Sequence, residues 1–260
     1  MGARPEDLEA TWRSIRHAAT VLLVRPGADG RPEFYFMRRP DTMRAFAGVW
    51  AFAGGAVEPG DRALAAEWID PGRATALAEA WEKDPASVEM ERFLAWAAPR
   101  FRERSGRVPE AVVPPLGFDP PANAAVWVTA VRELYEETGI WLGDGATPAA
   151  FDRLGAAELG PAVGRLRFLG RLVTPSHQPV RFNTRFFLAR LEAGDEPAAD
   201  GADRDREVAA TTWRPAAEAL AAQAAGGFPM AFPTRFVLER LAAYATVDAL
   251  WAAYAGRRLD

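Results

Sequence analysis

The tightest constraint on this chain is the stretch Arg132-Glu133-Leu134-Tyr135-Glu136-Glu137-Thr138-Gly139-Ile140. On a helix, Glu133, Glu136 and Glu137 fall at i, i+3 and i+4, so three carboxylates share one face. Like charges at that spacing repel, and a bare helix gains nothing from them. A divalent cation turns the same cluster into a set of hard oxygen ligands, which suits Mg²⁺ or Mn²⁺. Arg132, four residues before Glu136, is placed to brace it. Gly139 supplies the left-handed residue that ends such a helix. The competing reading of the same residues is a solvated acidic face.

A second piece lies upstream. Gly54-Gly55-Ala56-Val57-Glu58-Pro59-Gly60-Asp61 reads as a glycine-rich turn that ends in another carboxylate. Together the two pieces resemble the Nudix box, G-x5-E-x7-R-E-U-x-E-E-x-G-U with U aliphatic. Gly55 matches the first glycine, and Arg132, Glu133, Leu134, Glu136, Glu137, Gly139 and Ile140 match the second half. Asp61 stands where the family has Glu, and about seventy residues separate it from Arg132 where the box has seven. A long insertion at that point marks the branch of the Nudix hydrolases that resembles the peroxisomal coenzyme A diphosphatase of mammals.

A further resemblance precedes the box. Coenzyme A diphosphatases of this family carry L-L-T-x-R-[SA]-x3-R-x3-G-x3-F-P-G-G, and Arg39, Arg44, Gly48, Phe52, Gly54 and Gly55 keep every corresponding spacing. Pro40 and Ala53 depart from it, as does Tyr35-Phe36-Met37 in place of Leu-Leu-Thr. Two loop arginines beside a metal site suit a substrate with several phosphates; in a chain this rich in Arg they are equally readable as solvated surface groups.

Composition narrows the function classes. The 260 residues carry a formal net charge of -4, which does not favour bulk binding to nucleic acid. Cysteine is absent, so disulfides, thiolate metal sites and cysteine nucleophiles are excluded together. Lys83 is the only lysine, which leaves planar, bidentate Arg as the cation for phosphate. No run of eighteen apolar residues and no secretory leader is visible, so the expectation is a cytoplasmic protein with no membrane span.

In chain order, residues 18–24 and 34–39 read as two strands joined by the turn chemistry of Pro26-Gly27-Ala28-Asp29-Gly30. Residues 62–69, 74–81 and 87–102 read as helices of an insertion, 62–118, which contributes Trp68, Trp81 and Trp96. Asp119-Pro120-Pro121 opens the acidic helix with an N-cap and proline at N1. Ala125, Val128, Val131 and Leu134 form its buried stripe, opposite the carboxylates. Residues 167–173 and 180–191 alternate as strands, with Arg181, Asn183, Arg185 and Phe187 on one face. Residues 193–206 read as an acidic loop, 207–213 as a strand, and 215–225, 233–245 and 247–256 as helices.

The resemblance implies an α/β/α sandwich around a mixed β-sheet, one domain over residues 1–260 with a C-terminal helical extension at 233–256. It implies a Mg²⁺- or Mn²⁺-dependent hydrolase that cleaves the diphosphate bond of a nucleotide derivative. Coenzyme A or acyl-CoA is the expected substrate; ADP-ribose, NADH or a dinucleotide is the alternative, as is a non-catalytic nucleotide-binding regulator. Metal ligands implied are Glu133, Glu136, Glu137 and Asp61 with the backbone at Gly55. Catalytic roles fall to Glu133, Glu136, Arg132 and Glu207, with Asp203 and Asp205 competing for the last. Arg39, Arg44, Gly54, Arg181 and Arg185 are the expected substrate contacts. His177 is a surface residue or a base. The aromatic stripe of the insertion reads first as core; functionally the insertion either shapes the pocket or builds a homodimer contact.

Overall fold

A computed structural model describes residues 5–43, 46–83, 113–144, 151, 155–175, 178–192, 195 and 208–259. The chain opens with helix α1 (Pro5–Arg13), then strands β1 (Arg16–Pro26), β2 (Pro32–Arg38), β3 (Trp50–Ala51) and β4 (Ala53–Ala56). Helices α2 (Pro59–Trp68) and α3 (Pro71–Glu82) follow, and the long helix α4 (Pro120–Thr138) comes after a short 3₁₀ turn, Leu116–Phe118. The remainder is α5 (Ala156–Gly164), β5 (Leu166–Val173), β6 (Phe182–Arg190), β7 (Ala210–Pro215), α6 (Ala216–Ala224), α7 (Phe232–Leu241) and α8 (Val247–Ala253).

The described strands form one mixed sheet. β1 is its axis, pairing in parallel with β6 along its length, from Arg16↔Phe182 to Val24↔Arg190. Its other edge is divided. The first half takes β4 antiparallel, with Ala19↔Gly55 and Thr20↔Gly54, while the last residues take β2. β2 then leaves β1 to pair with β3 and β7. This division leaves β4 with β1 as its one strand partner among the described residues.

Alternation along β1 sends its side chains to two cores. Ala19, Val21 and Leu23 join Phe187, Trp127 and Leu134 under α4, and Leu22 and Val24 join Phe34, Phe186, Leu188, Phe236 and Leu250 under α7 and α8. Each fully buried side chain of this size contributes about 1.5–3 kcal/mol. The result is the expected α/β/α layering. Trp81 of α3 belongs to the first core, stacked on Phe168 at 5.2 Å and edge-on to Trp127 at 5.8 Å. An indole of the insertion is therefore part of the main core.

Four expectations are changed. Gly54 and Gly55 lie in strand β4, not in a turn, because they pair with β1. Helix α4 is buried on every side from Ala122 to Arg132, since α2 and α3 cover the flank away from the sheet. Its small residues (Ala122, Ala124, Ala125, Ala130) permit that approach. Strand β7 begins at Ala210 and α7 stops at Leu241, later and earlier than the pattern suggests. Helices α1 and α5 have no counterpart in the sequence reading. The helix at 87–102, Arg44, His177, Asp203, Asp205 and Glu207 lie outside the described residues. Among the described residues no helix is long and apolar enough to cross a membrane.

Candidate active site

The acidic helix is fixed at both ends by its own sequence. Asp119 accepts from Ala122 N–H at 3.0 Å, and Pro120 costs nothing at the first turn. Gly139 takes φ 73° and donates its N–H to Tyr135 O at 2.8 Å, which stops the helix one residue after Thr138. The last two turns therefore carry Glu133, Glu136 and Glu137 beside β4.

The two glycines are demanded by this contact. A Cβ on Gly55 would collide with the Glu133 carboxylate, and a Cβ on Gly54 would collide with Ala19 O and Thr20 Cα of β1. Gly54 N–H donates to Glu137 Oε2 at 2.8 Å. The halves of the motif, far apart in sequence, thus meet through backbone on one side and carboxylates on the other.

Arg132 organises the cluster. It is 7 % exposed and donates Nε and Nη2 to Asp61 at 2.8 and 3.0 Å, Nη1 to Glu136 Oε2 at 2.8 Å, and Nη2 to Ala56 O at 3.1 Å. The Glu133 carboxylate lies 3.0 Å from the same Nη2. Burial works to deprotonate this guanidinium, but the Asp61 hydrogen bonds and the neighbouring carboxylates outweigh it and raise its pKa. Burial pushes the Glu133 carboxyl up to about 7, against the pull of Arg132 and with the help of nearby Glu136. Glu136 is raised for the same first reason.

Asp61 differs from its expected place among the metal ligands. It is 1 % exposed, and its oxygens accept from Arg132, from Thr129 Oγ1 at 2.8 Å and from Glu58 N–H at 2.9 Å. Its lone pairs are spent inside the protein, so it positions Arg132. Thr129 was not foreseen in this role, although it sits three residues before Arg132 and so on the same face.

The substrate arginines divide. Arg39 closes the loop before β3, its N–H donating to Val49 O at 3.0 Å and its carbonyl accepting from Gly48 N–H at 3.1 Å. Its Nε is buried with no hydrogen-bond partner. Arg181 donates Nε to Thr174 O at 2.9 Å. Arg185 is 2 % exposed beneath the N-terminal half of α4, donating to Asn183 O at 3.0 Å and to Asn123 Oδ1, with His17 Nδ1 at 3.0 Å. Its Nη1 and Nη2 are thus engaged within the protein, and its Nε is buried without a partner among the described residues. Strand alternation gave it the right side of the sheet, but α3 and α4 cover that side.

The residues present suit a divalent cation in donor type: three carboxylates and backbone of β4, with one carboxyl held near pH 7 by burial. Among the described residues no three such groups converge as a finished cage. Arg132 draws Glu133 and Glu136 toward itself while Gly54 N–H holds Glu137, so an ion has to compete with these contacts.

No protein-family model matches the chain, and no curated protein does. Among solved structures, a Nudix hydrolase from Alicyclobacillus acidocaldarius is 30% identical with a TM-score of 0.56, covering 92% of this chain and 96% of its own. A MutT Nudix hydrolase from Burkholderia pseudomallei is 15% identical (TM-score 0.40, 86% of this chain, 96% of its own). An Ap4A hydrolase from C. elegans is 14% identical (TM-score 0.43, 92% of this chain, 100% of its own). The identity and coverage of the first, together with the rejoined box, show that the chain belongs to the Nudix hydrolase family.

Proposed function

We propose that this protein is a divalent-metal-dependent pyrophosphohydrolase acting on coenzyme A or acyl-CoA, releasing 3′,5′-ADP and (acyl-)phosphopantetheine. The observation that carries the reading is the contact of Gly54 N–H with Glu137, which makes one site of the glycine strand and the acidic helix. Bound Mg²⁺ or Mn²⁺ supplies charge neutralisation of the diphosphate and a more acidic water. Glu133, Glu136 and Glu137, with backbone at Gly55, would hold the ion. Arg132, fixed by Asp61, orients Glu133 and Glu136. A proton from the attacking water goes to one of these carboxylates or to Glu207, given hydrogen-bond reach. No covalent intermediate is needed.

The coenzyme A assignment rests on the loop that precedes the box. Arg39, Arg44, Gly48 and Phe52 keep the spacing of the coenzyme A signature, and the buried, unpartnered Arg39 Nε suits a phosphate oxygen. The test is product analysis of the pure protein with Mg²⁺ or Mn²⁺ against coenzyme A, an acyl-CoA, ADP-ribose and NADH. Release of 3′,5′-ADP is expected. Turnover of ADP-ribose or NADH with none of coenzyme A replaces the substrate and keeps the chemistry.

A further inference from the structure

A cavity of about 680 Å³ opens at the N-terminal end of α4, walled by Trp12, Arg13, Arg16, His17, Arg62 and Phe118 together with Asp119. None of the three metal-site carboxylates lines it. The two places share a wall, since Ala56 and Val57 line the cavity and Ala56 O accepts from Arg132; beyond it Asp61 faces Arg132, while the next residue, Arg62, turns to Asp119 with contacts of 3.2 and 3.1 Å. The volume falls within the range of sites for small organic ligands.

The charges around the cavity do not cancel. Arg62 is matched by Asp119, and Arg13 by Glu9. Arg16 is exposed and its side chain has no hydrogen-bond or ion-pair partner among the described residues. Behind His17 stands Arg185, whose hydrogen-bond partners Asn183 O, Asn123 Oδ1 and His17 Nδ1 are all neutral. Because a guanidinium only donates, His17 Nδ1 is the acceptor; Nε2 carries the hydrogen and lies 3.4 Å from Asp119. Burial and the Arg185 charge hold the imidazole down to a pKa of about 3, so His17 adds no positive charge. Glu82 and Asp119 act on Arg185 through space, without a hydrogen bond to it among the described residues. A buried guanidinium without a contacting counter-ion is costly, and an anion nearby relieves it. Trp12 and Phe118, 5.3 Å apart between ring centres, make part of the wall aromatic.

We infer that this cavity is a second ligand site, separate from the metal-site carboxylates, which takes a small aromatic oxyanion: its ring lies along Trp12 and Phe118, and its phosphate or carboxylate meets Arg16 and Arg62. Such a ligand touches the residue adjoining Asp61, so its occupancy reaches the turn that fixes Arg132.

The test is calorimetric titration of the full chain in EDTA with phenyl phosphate, benzoate and inorganic phosphate. Without metal the Glu133–Glu137 carboxylates repel anions, so binding under these conditions reports the cavity. One equivalent of phenyl phosphate or benzoate is expected to bind, and which of the two binds tighter tells a phosphate ester from a carboxylate. Arg16→Glu, at an exposed position with no side-chain partner, is expected to weaken binding by about tenfold or more with an unchanged melting curve. Trp12→Leu is expected to weaken it too, and Glu137→Gln to leave it as in the parent. Binding of neither aromatic anion, binding unaffected by Arg16→Glu, loss of binding in Glu137→Gln alone, or inorganic phosphate binding as tightly as phenyl phosphate overturns the inference. A chain that binds the probe but hydrolyses no diphosphate keeps this site and loses only the proposed activity.

Discussion

Gly54 and Glu137, 83 residues apart in the chain, are joined by a backbone N–H donating to a carboxylate oxygen at 2.8 Å. That one bond places the acidic helix against β4 and sets the distance at which Glu133 meets Gly55. Both glycines are needed, for different reasons. At Gly54 the obstacle is the β1 backbone, which cannot yield; at Gly55 it is the end of a Glu side chain, which can.

Alanine at the two positions is therefore expected to separate stability from activity. Gly54→Ala should cost about 1–3 kcal/mol through overpacking, a fall of roughly 2–4 °C in Tm per kcal/mol for a chain of this size. Gly55→Ala should leave Tm nearly unchanged and reduce metal-dependent hydrolysis, because Glu133 must swing off the strand. Thermal melts and initial rates on the two variants check this. Equal losses of Tm would show that Glu133 is as fixed as backbone.

Asp61 is one methylene shorter than the Glu of the family pattern, yet Asp61→Glu should weaken the protein. Asp61 is 1 % exposed and accepts from Arg132, Thr129 and Glu58 N–H, so an added methylene has no room. Overpacking of about 1–3 kcal/mol is expected for Asp61→Glu. Asp61→Ala leaves a buried guanidinium short of its main partner, a change of about 3–5 kcal/mol. Urea unfolding of both variants measures the two figures. A more stable Asp61→Glu would show that the site is looser than these contacts imply.

Local signals made the ends of α4 readable: Asp119, Pro120 and Gly139 each have one preferred place at a helix terminus. The alternation of Phe182, Thr184, Phe186 and Leu188 likewise set the two faces of β6. What escaped depends on neighbours far away in sequence. Gly54 and Gly55 look like a turn because glycine is common in turns, and only the closeness of β1 and Glu133 shows them to be strand residues. Asp61 reads as a ligand because a carboxylate's partners are invisible in sequence; four hydrogen bonds commit it to Arg132, Thr129 and Glu58. Arg185 reads as substrate-facing because alternation gives a side of the sheet but not what covers it.

Arg185→Lys tests the last point. Lysine keeps the charge but loses the fork that reaches Asn183 O, Asn123 and His17 together. A loss of about 1–3 kcal/mol is expected from the donors no longer supplied to buried acceptors. KM for the diphosphate substrate should stay within roughly twofold of the parent, well under the tenfold that 1.4 kcal/mol represents. A higher KM at unchanged Tm would return Arg185 to the substrate.

The raised carboxyl of Glu133 gives a pH dependence whose sign can be worked out. Its folded pKa of about 7 lies above its ordinary 4.5, so between these values the metal-free folded chain holds a proton that the unfolded chain has released. The Glu133 contribution to stability is therefore present at low pH and is lost as pH rises from 4.5 through 7. His17 works the other way: its folded pKa of about 3 lies below 6.5, so its contribution is lost as pH falls below 6.5. The two oppose each other between pH 4.5 and 6.5, and the whole-protein curve hides both. Glu133→Gln removes one of them. Its Tm relative to the parent should rise steadily from about pH 5 to about pH 8 in EDTA, since the variant has no buried carboxylate to ionise. Mg²⁺ should reverse the order at about pH 8, because the ionised Glu133 that destabilises the metal-free chain is what holds the ion; at a hundredfold excess over Kd the ligand adds about 2.7 kcal/mol to the parent. A constant difference between variant and parent across this range would mean that Glu133 titrates as an ordinary exposed carboxyl, and that Arg132 outweighs its burial.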